Sequence, residues 1–170
     1  TVKGIVFSGM KADSSGCIDN FFIVQANNCD TFVNLKFLDC TIRDFNRVFH
    51  MAAKGNFTCD SLIVDRLTLY NKKGTNFVFT FGDKAYPKYF GLTNSTFYNV
   101  EGGIIDNPRN NQSGVPAYTP KMKFVVDHNT FYNIVSQHRS LIQTEKITTA
   151  DSLNITFTNN IIEKLMTPSY

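Results

Sequence analysis

One phrase recurs along this chain and limits what it can fold into. It reads Leu92-Thr93-Asn94-Ser95-Thr96-Phe97-Tyr98-Asn99-Val100 in one copy. It reads Val125-Val126-Asp127-His128-Asn129-Thr130-Phe131-Tyr132-Asn133-Ile134 in another. Weaker copies let the period be counted. With the leading apolar residue as anchor, copies begin at Phe7, Phe37, Val64, Leu92, Val126 and Phe157, at spacings of 30, 27, 28, 34 and 31 residues. Five positions on stand Ala12, Ile42, Leu69, Phe97, Phe131 and Ile162, all apolar. Four positions on stand Lys11, Thr41, Thr68, Thr96, Thr130 and Ile161. Seven positions on stand Ser14, Asp44, Asn71, Asn99, Asn133 and Lys164, all polar.

A second strand occupies the other half of each copy: Phe22-Ile23-Val24, Val48-Phe49-His50, Val78-Phe79-Thr80, Ile104-Ile105-Asp106 and Leu141-Ile142-Gln143. The middle residue is always apolar. The last drifts from Val24 to His50, Thr80, Asp106 and Gln143. Alternating faces account for this, one buried and one wet. Short strands at a period near 30, with no helical periodicity between them, predict an all-β parallel solenoid of about six coils. Like residues then stack on like. Two roles are open for Asn71, Asn99 and Asn133: a ladder of amides bonding coil to coil, or left-handed turn positions that Asn tolerates.

Composition agrees with sheet. The 170 residues include 16 Phe, no Trp and many β-branched side chains. That length suits one domain spanning residues 1–170, and no Pro/Gly/Ser linker divides it. With no amphipathic capping helix in view, the expectation is a piece of a longer chain with other domains. The net charge of +3 is mild and scattered, which argues against a nucleic-acid partner. No apolar run is long enough for a membrane span. Cys17, Cys29, Cys40 and Cys59 lack metal-binding spacing. Cys29 and Cys59 lie one period apart, which would stack them within bonding reach, but buried free thiols are the preferred reading.

Four of the five prolines, Pro87, Pro108, Pro116 and Pro120, fall in two long loops that follow the second strand. In a solenoid such loops emerge on one side. Stacking would align Lys54, Lys84, Arg109 and Lys146 along one edge, beside His50, Thr80, Asp106 and Gln143 on the wet face. Tyr86, Lys88, Tyr89 and Tyr118 come from the loops. Cations for carboxylate or sulfate, rings for pyranose faces and amides for hydroxyls suit an acidic polysaccharide. A solvated, merely solubilising face is the plainer alternative. Elimination on a uronate polymer is sharper. It needs a base, for which Lys84 and Lys146 are candidates, and a carboxylate partner, Arg109. No cofactor is called for, although Asp106 and Asp83 could hold Ca²⁺ in that chemistry. Paired carboxylates for hydrolysis, Asp83 with Asp106, are weaker still. His50, His128 and His138 form no metal set.

The phrases LTNSTFYNV, VVDHNTFYNI and ITFTNNII resemble the repeats of the pectate-lyase-like superfamily. The nearest likeness is to β-helix domains of exported, lipoprotein-type glycan-utilisation proteins of Bacteroidetes, with chondroitinase B and alginate lyase types more distant. The resemblance covers nearly the whole chain as a pattern. It implies a right-handed parallel β-helix, a secreted, periplasmic or cell-surface location, and a groove on one sheet with a Lys/Arg pair and sometimes Ca²⁺. No catalytic motif of those lyases maps onto this sequence residue by residue. The expectation is therefore a carbohydrate-associated domain. A uronate-cleaving lyase, or a structural stalk or protein-binding module, is the alternative.

Overall fold

A computed structural model describes residues 1–11, 16–24, 31–51, 57–82, 85–108, 121–136, 140–145 and 152–167. Its strands pair in parallel into three sheets that run the length of a β-solenoid. The first sheet stacks Val2–Lys3, Thr31–Leu38, Phe57–Asp65, Ala85–Thr93, Lys121–Asp127 and Ser152–Thr158. The second stacks Val6–Ser8, Thr41–Arg43, Thr68–Lys72, Thr96–Glu101, Thr130–Val135 and Ile161–Met166. The third stacks Ile18–Val24, Phe45–Met51, Phe79–Phe81, Ile105–Pro108 and Ile142–Glu145.

The register follows the periodic columns. Phe37, Val64, Leu92, Val126 and Phe157 face one another strand to strand. So do Ile42, Leu69, Phe97, Phe131 and Ile162. Both files point inward, and all but Phe157 and Ile162 in the last rung are buried. The rings of Phe97 and Phe131 lie 5.3 Å apart and nearly parallel, in adjacent layers. Phe49 and Phe79 stack at 4.8 Å on the third sheet. The core is thus a set of vertical apolar files, stabilised mainly by burial of aromatic and aliphatic side chains.

The first coil departs from the expected alignment. Val2, not Phe7, faces Phe37, and Phe7 faces Ile42. The true anchor is therefore Val2, and Phe7 takes the place expected for Ala12. Likewise Ile23, not Val24, faces His50. The first strand has two residues, too few to show an alternation.

Two left-handed positions in each coil explain the polar columns, the first of them at the corner between the first and second sheets. Gly4, Asp39, Arg66, Asn94, His128 and Asn159 all have positive φ, two residues past the anchor. The seventh position repeats this inside the second sheet: Asp44, Asn71, Asn99, Asn133 and Lys164 have φ between 53° and 62°. Asn is favoured there because its short polar side chain tolerates the left-handed region. Side-chain bonding exists too: Asn133 Nδ2 donates to Asn99 Oδ1 at 2.7 Å at the surface, and Asn71 Nδ2 to the buried Asp44 Oδ1 at 3.5 Å.

A buried ladder lies elsewhere, three residues past the anchor. Asn129 Oδ1 accepts from the Ser95 amide (2.9 Å), and Ser95 Oγ accepts from the Leu67 amide (3.0 Å). Asn160 Oδ1 accepts from the Asn129 amide (2.9 Å). Asn129 Nδ2 and Asn160 Nδ2 donate back to the Leu92 and Val126 carbonyls. Ser95 and Asn129 are almost fully buried. Each side chain satisfies a turn amide of the coil below, which is why a polar residue belongs inside the wall.

Candidate functional site

The expected wet face is the outer face of the third sheet. Ile23, His50, Thr80, Asp106 and Gln143 form one file across its five strands. From His50 onward every member is polar and half-buried. Inward neighbours Phe49, Phe79 and Ile105 are buried and hold the strands in place. His50 charges less readily than an ordinary imidazole: burial lowers its pKa, and the Arg47 cation lowers it further. An imidazole, a hydroxyl, a carboxylate and an amide then stand one rung apart, a row of donors and acceptors matched to hydroxyl groups.

The loop residues divide. Lys84, Arg109, Tyr118 and Lys146, with Lys54 and Asp83, lie outside the described residues. Tyr86 does not join the wet face as a loop residue. It lies in the strand Ala85–Thr93, is 6% exposed and packs with the core. The strand starts earlier than the sequence suggested because Ala85 and Tyr86 already pair with Phe57 and Thr58. Beyond it Lys88 bonds Asp60 at 2.6 Å, and Tyr89 sits half-buried on the outer face of the first sheet beside Lys123.

Several chemically marked residues had no signal in the periodicity. Lys72 takes a core position in register with Val100 and is 1% exposed. Its Nζ donates to the carbonyls of Glu101 (2.6 Å), Gly74 (2.8 Å) and Lys73 (3.2 Å). Burial pushes its pKa down to about 7, against the pull of Glu101. This is the depressed lysine an elimination would want, but its nitrogen is turned onto backbone oxygens inside the wall.

Asp127 accepts from Thr158 Oγ1 (2.7 Å) and Asn159 Nδ2 (3.0 Å), and lies 2.7 Å from His128 Nδ1. The Thr158 bond first, then His128, holds its carboxyl at about 2. The same device repeats at Asp65, which accepts from Thr93 and Asn94. It is a corner clamp between coils rather than a reactive pair.

Among the described residues, no group of three His, Cys, Asp or Glu side chains could hold a metal ion. Cys17, Cys40 and Cys59 are free thiols. Cys59 faces Phe32 and Pro87, and Cys29 lies outside the described residues. Among the described residues no helix is long and apolar enough to cross a membrane.

What is established is the architecture, a parallel β-solenoid. No family model, no curated protein sequence and no solved structure matches the chain, so the expected tie to the pectate-lyase-like superfamily has no match behind it.

Proposed function

We propose that this chain is a carbohydrate-associated β-helix domain of an exported protein, and that it binds an acidic polysaccharide along the outer face of the third sheet. One observation carries the reading. His50, Thr80, Asp106 and Gln143 stand in register on four neighbouring strands. In sequence, each of the last three coils follows its member with a cation, Lys84, Arg109 or Lys146. Polar groups repeating at one strand step, about 4.8 Å, suit a polymer that repeats its own hydroxyls and carboxylates. Cations at the margin supply the charge pairing. The likeness of the repeat phrase to exported glycan-utilisation domains points the same way.

The test is a calorimetric panel of pectate, alginate and chondroitin sulfate against the parent chain and a K84A/R109A/K146A variant. Saturable binding that weakens with salt, and at least tenfold in the variant, is expected. No binding across the panel would sink the reading. Absorbance of unsaturated product in the same mixtures would instead put the elimination reading first.

A further inference from the structure

The second sheet carries a different surface, which needs none of the residues just discussed. Its outer face presents Thr41, Thr68, Thr96 and Thr130 in one file, each facing the next. Two residues along stand Tyr70, Tyr98 and Tyr132, again in register. The corner file beside them holds Asn71, Asn99 and Asn133. All ten side chains are half-buried or exposed.

Repetition on this face is not what a solenoid wall requires. The inward file of the same strands runs Phe7, Ile42, Leu69, Phe97, Phe131 and Ile162, changing freely among apolar types. The outer file of the first sheet runs Lys36, Ile63, Gly91, Val125 and Thr156, a different residue at every rung. Strand propensity alone would accept Val or Ile wherever Thr stands. Here threonine recurs four times and tyrosine three.

The array is also held rigid. Tyr70 and Tyr98 stack with ring centroids 4.7 Å apart and planes 5° from parallel. Lys164 Nζ sits 4.8 Å over the Tyr132 ring and donates to its hydroxyl at 2.7 Å. The Tyr70 and Tyr98 faces are turned on each other, so their edges and hydroxyls are what the surface offers. Charge enters at the ends, with Arg43 and Asp44 on one side and Glu163 and Lys164 on the other. Between them the threonine and tyrosine files are uncharged, and the exposed Lys73–Glu101 ion pair stands at the margin, where the strand Thr96–Glu101 ends.

We propose that this face binds a neutral, unbranched polysaccharide lying along the solenoid axis. Rows of Thr hydroxyls, Tyr hydroxyls and Asn amides repeat at the rung step of about 4.8 Å. An extended glycan presents a similar set of hydroxyls once per sugar ring. Hydroxyl-to-hydroxyl bonding of this kind is individually weak, about 1 kcal/mol each, and gains from repetition on a preorganised surface.

The test is depletion from solution by microcrystalline cellulose and by chitin, with soluble mixed-linkage glucan titrated by calorimetry. The parent and a T68V/T96V/T130V variant are compared, and circular dichroism checks that the variant folds. Binding by the parent with at least a tenfold loss in the variant is expected. A Y70F/Y98F/Y132F variant keeps the rings and removes only hydroxyls, so it decides the matter if the valine variant does not fold. The proposal is overturned if the parent leaves all three glycans unbound, or if a folded variant binds as the parent does. It is also overturned if K84A/R109A/K146A is what abolishes binding. That outcome would assign neutral glycans to the third sheet, whereas loss of acidic binding alone leaves the second-sheet face standing.

Discussion

The corner between the first and second sheets and the connections around the third sheet obey different rules. At the corner, five residues separate the anchor from the next inward position in every coil, from Val2 to Phe7 through Phe157 to Ile162. Around the third sheet the lengths change from coil to coil; compare Phe79 to Leu92 with Ile105 to Val126. A constant corner lets one coil's turn groups bond the next, so any insertion there would orphan the ladder. Connections between the third and first sheets, whose lengths vary in the sequence, have no such obligation. The solenoid therefore keeps its register at one edge and varies itself at another, which is the usual division between scaffold and loop.

Variable length does not have to mean slack. It does not at Gly102, between the second and third sheets. Its φ is +94°, and an added Cβ would overlap the backbone carbonyl of Asn76. Gly102→Ala is expected to cost about 3–5 kcal/mol, from strain plus overlap. Gly4, at the constant corner, has φ +66° and open space around its Cα. Gly4→Ala should cost only about 1 kcal/mol. Urea unfolding of both variants checks the order. Equal costs would mean that the connection relaxes around the methyl group.

Next in size is the ladder. Asn129→Ala removes the acceptor of the buried Ser95 amide and the donor to the Leu92 carbonyl. A loss of about 3 kcal/mol is expected. Asn133→Ala removes an exposed bond to Asn99 and puts alanine at a φ of 54°, which together should cost about 1 kcal/mol. The pair separates the buried file from the surface one. If both substitutions cost the same, the ladder has no special weight.

These two asparagines show what the sequence could convey. Periodicity made the fold and the register of the five inner coils readable, because apolar columns must stack to be buried. The seventh-position column was visible because one backbone conformation selects one residue type, Asn. The third-position ladder was not, because Cys40, Leu67, Ser95, Asn129 and Asn160 share a place, yet only the last three carry an oxygen that accepts from the turn amide below. Any side chain that fills the wall is tolerated there, and only some of them bond. The register of the candidate file was readable for a similar reason. His50, Thr80, Asp106 and Gln143 inherit their register from strands, whereas Tyr86 had to be guessed from a loop boundary that lies elsewhere. Lys72 escaped notice because a lysine in an apolar column reads as noise until its carbonyl partners are seen.

Lys72 gives the third expectation. Lys72→Met keeps the packing beside Val100 but leaves three carbonyls without their donor. A loss of about 2 kcal/mol follows. The lysine's pKa is about 7 in the fold, against 10.5 ordinarily. The unfolded chain therefore takes up the proton first as pH falls from about 10. Stability of the parent should fall between pH 10 and pH 7 and then level. Met lacks this slope, so the deficit of the variant should be larger at pH 9 than at pH 7. A deficit independent of pH would mean that the amine keeps its proton throughout.

The smallest effect bears on the variable side, where ligand is proposed to bind. His50 has its pKa lowered by burial and by Arg47. Its neutral form is favoured in the fold, so its contribution is complete above the ordinary value of 6.5 and is lost as pH falls below it. In His50→Gln the loss should vanish, and the urea midpoints of parent and variant should converge or cross between pH 7 and pH 5. An acidic polymer lying on this file would favour the imidazolium and raise that pKa. The affinity of the parent should then increase as pH falls, while His50→Gln shows a flatter profile. Titration of the His50 ring protons by NMR, with and without pectate, reads the shift directly. A pKa unmoved by saturating pectate would place the acidic polymer away from the third sheet and overturn the assignment of that face.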